Sequence, residues 1–142
     1  MASARADQVR ALCAGRIVAE VDDLSEMSEP YFLAKGKRSF VHKSFCVGIG
    51  RSVAGKDRQS RSEGTQAHTV IKVLVAYQLT ELAHLAGETA IGQIRNAIAV
   101  ALVADWSTDT EMLWVEDAEP TTTETMLWFE SLFLAVHQLP LE

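Results

Sequence analysis

The sequence predicts an α+β fold, an antiparallel or mixed β-sheet with two helices packed on one face, in the order α-β-β-α-β-β. Three observations carry that prediction. The first is Gln66 to Leu79, QAHTVIKVLVAYQL, where Ile71, Val73, Val75, Tyr77 and Leu79 share one face and Val70, Lys72, Leu74, Ala76 and Gln78 the other. A period of two, with one face almost wholly apolar and the other mixed, is the pattern of a central strand. The second is a pair of apolar stripes at three- and four-residue spacing, which read as helices. The third is that the strands come as neighbours joined by polar segments. That gives local hairpins rather than repeated βαβ units.

The first helix is expected over Ser3 to Leu24, capped by Ser3, with Val9, Cys13, Ile17, Val21 and Leu24 as its stripe. Asp22 and Asp23 oppose the negative end of the helix dipole, so the regular helix should stop near Glu20. Pro30 and Gly36 interrupt the next segment, where a short extended piece is expected at Tyr31 to Ala34. Ser39 to Ile49 alternates Phe45, Val47 and Ile49 with Cys46 and Gly48 and reads as a strand. Gly50 to Thr65 is rich in Gly, Ser and charge and reads as a long β-hairpin loop. The strand beyond it is long for a globular domain, so part of the hairpin is expected to project. Glu88 to Ala104 forms the second helix through Ile91, Ile94, Ile98, Ala101 and Leu102. Met112 to Ala118 and Thr125 to His137 close the fold as a hairpin across EPTTTE. There Trp114, Trp128, Phe129 and Phe133 supply aromatic cross-strand pairs. No internal repeat or linker interrupts residues 1–142, which read as one domain.

A domain of 142 residues buries about two-thirds of its unfolded surface without staples. The N-terminal MASARADQVR lacks the apolar stretch of a secretory signal, and the longest apolar run, Ile98 to Ala104, is too short to span a bilayer. Cys13 and Cys46 form no metal-type spacing, so a reduced compartment is expected.

The net charge of −6 is unevenly spread. Between Lys35 and Arg61 eight basic residues (Lys35, Lys37, Arg38, Lys43, Arg51, Lys56, Arg58 and Arg61) stand against a single acid, Asp57. Leu102 to Glu142 holds nine acids and no Lys or Arg. The simpler account is two differently solvated surfaces. The functional account is self-association of opposite patches, or a basic surface for nucleic acid or an acidic partner.

Catalytic motifs are weak. GRSVAGK at Gly50 to Lys56 fits a phosphate-loop pattern, but Asp57 stands where Ser or Thr should bind magnesium, and no apolar stripe comes after it to make the helix. Gly48 and Gly50 begin a dinucleotide fingerprint in which Val53 replaces the third glycine. His42, His68, His84 and His137 have no metal-ligand spacing. Cys46 reads as a small core residue, and a nucleophilic pair with His68 across the hairpin has no support. The aromatic set has no interleaved basic residues, which favours core or subunit interface over base stacking.

Six segments together carry a resemblance. They are the helix ADQVRALCAGRIV, the strand HKSFCVGIG, the loop with RQSRSEGTQ, the strand TVIKVLVAYQL, the helix ETAIGQIRNAIAVAL, and the hairpin from EMLWVEDAEP through TMLWFESLFLAVHQL. Over nearly the full length, their order and size resemble the tail-terminator and tail-completion proteins of long-tailed bacteriophages. The resemblance implies a ring, expected to be hexameric, that caps the tail tube, ends tail polymerisation and provides the surface for head–tail joining. It implies a structural virion protein of the tail or neck, assembled in the host cytoplasm, with no enzymatic activity, cofactor, metal or membrane association. Its implied partners are copies of itself, the tail tube protein and a head–tail connector or neck protein. DNA would pass through the lumen without specific binding. On this reading Arg51, Lys56, Arg58 and Arg61 are expected to contact the tube or a neighbouring subunit, and opposite-charge patches suit heterologous ring closure. One alternative is a head–tail connector adaptor or stopper. The other is a sequence-independent nucleic-acid-associated binding module using Lys35 to Arg61, whose binding would weaken steeply with salt.

Overall fold

The thirteen-residue strand Gln66–Gln78 lies at the centre of one mixed sheet, with an antiparallel neighbour along nearly its whole length on both sides. The structure, a computed structural model, describes residues 4–22, 24–34, 42–54, 66–78, 84–104, 106, 110–123 and 126–139. Its elements are α1 (Ala6–Glu20), β1 (Ser25–Glu26), α2 (Tyr31–Ala34), β2 (Ser44–Ala54), β3 (Gln66–Gln78), α3 (His84–Val103), β4 (Thr110–Asp117), β5 (Thr121–Thr122) and β6 (Met126–Gln138). The sheet order is β1-β2-β3-β6-β4, with β5 beside β6. The long pairings are antiparallel and β1 joins β2 in parallel.

The class is the mixed α+β fold that the patterning predicts, but the element order is richer than α-β-β-α-β-β. The two-residue strands β1 and β5 are too short to show any period, and α2 is a single turn. At Tyr31–Ala34 the expected extended piece is corrected to helix. Pro30 precedes it with its carbonyl free to accept, and Ala34 N–H donates to that carbonyl at 3.0 Å. A second correction concerns residues 50–54, expected in the loop, which continue β2 as strand. Of the expected strand Ser39 to Ile49, residues 39–41 lie outside the described residues, as do the cap Ser3, Leu79 and the rest of the hairpin loop. At the start of α1, Gln8 Oε1 accepts from the Arg5 N–H at 2.8 Å, the glutamine half of a capping box.

The two long helices cover the same face of the sheet. Val9, Cys13 and Ile17 of α1 and Ile98 and Leu102 of α3 pack with Phe45, Val47, Ile71, Val73, Val75, Phe129 and Phe133 in one buried cluster. Val21 and Leu24 join it after α1 has ended, so the stripe outlasts the helix. Full burial of side chains such as Phe45, Phe129 and Phe133 stabilises by roughly 1.5–3 kcal/mol each. Trp114 and Phe133 are direct cross-strand partners, as expected for the closing hairpin.

The C-terminal end and the middle of α3 are tied to the layers beside it. At its C-terminal end, Arg16 Nη1 donates to the Ala101 and Ala104 carbonyls at 3.1 and 2.9 Å, and its guanidinium lies 4.2 Å from the centroid of the Trp106 ring. Trp106 Nε1 donates to the Leu102 carbonyl at 2.8 Å. Carbonyls that a helix end leaves without intrahelical donors are thereby satisfied by side chains. Nearer the middle of the helix, Arg95 donates to the Ala118 carbonyl and stands 4.0 Å from Asp117, whose Oδ1 accepts from Ser131 at 2.6 Å.

The opposite face is covered only in part. There α2 lays the Tyr31 ring over Gly48, beside Cys46 and Leu74, and Tyr31 Oη donates to Glu130. Any side chain at residue 48 would occupy the space of that ring.

Candidate functional site

Among the described residues the sheet has two long edges without a neighbouring strand along their outer sides. On one side, β1 pairs with β2 only at Ser44 and Phe45, after which Met27 N–H donates to the Phe45 carbonyl at 2.7 Å and Arg10 Nη1 to the Val47 carbonyl at 3.3 Å. Beyond Val47, no strand among the described residues lies on the outer side of β2. Ile49 and Val53 are 42% and 43% exposed there, with exposed Arg51 between them. On the other side, β4 is the last strand. Its Leu113, Trp114 and Val115 are 41%, 52% and 51% exposed, flanked by exposed Glu111 and Glu116. A strand can turn only alternate residues inward, so three consecutive apolar residues must leave some in solvent. Natural sheet edges usually carry charges or prolines at such points. One edge is therefore basic and apolar, the other acidic and apolar.

Of the expected contact residues, Arg51 is exposed on the outer part of β2, beside a bulge that leaves Gly50 and Arg51 together opposite Val70. Lys56, Arg58 and Arg61 lie outside the described residues. Sequence reasoning assigns Trp114 to core or interface, and its 52% exposure places it on the surface, with Nε1 donating to Asp117 at 3.2 Å. The same reasoning misses Leu113 and Val115. Their signal is the unbroken run Leu-Trp-Val inside an otherwise alternating strand.

Residues 50–54 of the GRSVAGK stretch are extended and paired with β3, which is no cradle for a phosphate. Cys46 pairs with Leu74, six residues from His68 along the same strand, roughly 20 Å away. Burial, and then the Glu130 carboxylate, push its thiol up to about 11. At that separation Cys46 and His68 do not form a nucleophilic pair. Cys13, on the buried face of α1, is pushed up to about 12 by burial.

His137 is fully buried in a hydrogen-bonded chain. Its Nδ1 lies 2.8 Å from the Ala4 carbonyl and its Nε2 2.8 Å from Thr69 Oγ1, which is 2.8 Å from Ser52 Oγ. A carbonyl only accepts, so Nδ1 carries a proton and donates to Ala4, while Nε2 shares a hydrogen bond with the Thr69 hydroxyl. The ring thereby anchors the N-terminal segment to β6, together with the 2.8 Å bond from Ala4 N–H to the Gln138 carbonyl. His42 Nδ1 accepts from the Gln78 N–H at 2.9 Å and its ring meets Tyr77 edge-on. Among the described residues no three His, Cys, Asp or Glu side chains gather as a metal site requires. No helix among them is long and apolar enough to cross a membrane.

No protein-family model matches the chain, and no curated protein matches it either.

Proposed function

We propose that this chain is a structural ring protein of a phage tail or neck. Copies close into a ring, expected to be hexameric, that caps the tail tube, stops its growth and presents the head-joining surface. The observation that carries the reading is the pair of open sheet edges, each bearing exposed apolar side chains and the two bearing opposite charge. Head-to-tail contacts between unlike surfaces are what a closed ring of identical subunits requires. The order of elements, which resembles tail terminators, adds the setting. The role is one of assembly and asks for no catalytic group.

The test is solution mass by light scattering across concentration and salt, with negative-stain images of each species. Closed rings, or monomers that become rings on the ends of tail tubes, are expected. A chain that stays monomeric, ignores tubes and binds duplex DNA with steep salt dependence would overturn the reading in favour of a nucleic-acid-binding module. Replacing Arg51, Lys56, Arg58 and Arg61 together by Ser is expected to leave the subunit folded and block tail joining.

A further inference from the structure

We infer that the outer edge of β2 in one copy pairs antiparallel with the outer edge of β4 in the next, so that the sheet continues from subunit to subunit. This deepens the ring reading and rests on it.

Strand direction comes first. The steps β2 to β3, β3 to β6 and β6 to β4 are each antiparallel, and three reversals leave β4 running opposite to β2. A second copy set head to tail beside the first therefore presents its β2 antiparallel to β4. Its helix-covered face stays on the same side. The joint repeats the sense of every long pairing within the subunit, and each edge offers backbone groups to the other.

Side-chain faces then set the register. Ile49 partners Ile71 on the helix-covered face, and Trp114 partners Phe133 on that same face. Directly opposed residues must share a face, which places Ile49 beside Trp114. With the β2 bulge counted, Gly50 and Arg51 together meet Leu113, Ser52 meets Met112, and Val53 meets Glu111. Every one of these pairs matches in face. The ladder ends on one side where Arg10 already occupies the Val47 carbonyl, close to the bulge of β4 after Trp114.

Charge excludes the symmetric alternative. In this register Glu111 lies diagonal to Arg51 on one face, within reach of a guanidinium. If two β4 edges met antiparallel about Leu113, Met112 would face Trp114 and Val115 at the bulge and Glu111 would oppose Glu116 of the second copy at both ends, which is repulsive. A single kind of contact covers the apolar side chains of both edges only when unlike edges meet.

Cysteine cross-linking tests the pairing. Within one subunit β2 and β4 are three strand spacings apart, about 14 Å, beyond the ~7 Å Cα separation a disulfide tolerates. A bond between Cys at 49 and Cys at 114 must therefore join two copies, and the native thiols Cys13 and Cys46 are buried. The double variant Ile49→Cys/Trp114→Cys, mildly oxidised, is expected to give a ladder of covalent oligomers, with monomer alone from each single variant. Arg51→Glu and Glu111→Arg should each lower the ring fraction about tenfold at low salt, and their combination should restore it. Covalent dimers from Trp114→Cys alone would overturn the pairing. Wild-type rings without the ladder would overturn it while leaving the ring reading standing. A wild-type chain that is monomeric with and without tail tubes would overturn both.

Discussion

Adding one methyl group at Gly48 tests how the second face of the sheet is built. A Cβ there would lie 2.2 Å from Tyr31 Cγ and 2.6 Å from Tyr31 Cβ and Cδ1, where carbon atoms normally rest about 3.5–4.0 Å apart. The ring would have to retreat by roughly 1 Å or more. It is held by the hydrogen bond to Glu130 and by the Lys72 ammonium 5.8 Å from its centroid. Overpacking of this kind costs about 1–3 kcal/mol, and losing a hydrogen bond to a carboxylate about 1.5–3 kcal/mol. Against that, Ala is better than Gly inside a strand by roughly 0.5–1 kcal/mol. Gly48→Ala is therefore expected to destabilise by about 2–4 kcal/mol, seen in urea unfolding monitored by tryptophan fluorescence or as a Tm lower by roughly 6–12 °C. The decisive comparison is a double-mutant cycle with Tyr31→Ala. With the ring gone, Gly48→Ala should be neutral or slightly stabilising. An unchanged penalty in that background, or a Gly48→Ala protein as stable as wild type, would refute the account.

The polar ties and the buried thiols set further expectations. Arg16→Ala removes two bonds to the end of α3 and the stacking on Trp106, and should cost about 1–3 kcal/mol in denaturant unfolding while blue- or red-shifting the Trp106 emission. His137→Leu removes the ring nitrogen that donates to the Ala4 carbonyl and leaves the Thr69 hydroxyl with Ser52 alone. A loss of about 2–4 kcal/mol is expected, together with faster amide exchange at Ala4. The thiols ordinarily ionise near 9.0 but are held protonated to about 11 at Cys46 and about 12 at Cys13. From about pH 9 upward the unfolded chain thus binds fewer protons than the folded one, and stability should fall as pH rises. At pH 8 a thiol reagent should label the unfolded chain at both positions and the native chain at neither; rapid native labelling would contradict the burial.

Much of the frame is legible in the sequence because one rule governs it. β3 sits where both faces meet other layers, and its alternation of Ile71, Val73 and Val75 shows directly as period two. The stripe of α1 is equally plain because Val9, Cys13 and Ile17 all meet the same cluster. Legibility fails where burial stops alternating. The outer part of β2 is exposed on both faces, so residues 50–54 carry loop-like composition and only their pairing with β3 makes them strand. α2 is shorter than any helical period, and its placement depends on the small volume of Gly48 beneath Tyr31, a tertiary fact. At the candidate site, composition reveals the opposite charges of the two halves. It cannot reveal that Arg51 and Glu111 stand on opposite edges of one sheet, since that depends on strand order.

The bond between Ala4 and Gln138 has a practical consequence. It joins the two extremes of the described chain next to Gln66 and Ala67, where the β2–β3 hairpin leaves the sheet. Both ends of the described chain therefore emerge at one pole of the subunit, and that pole is the hairpin's. A fluorophore placed beside Ala4 arrives in the same neighbourhood as one placed beside Gln138. Moving a bulky label from one end to the other offers no relief from crowding. A reporter meant to leave the hairpin pole clear belongs at the opposite end of the strands, near Gln78 or Thr122.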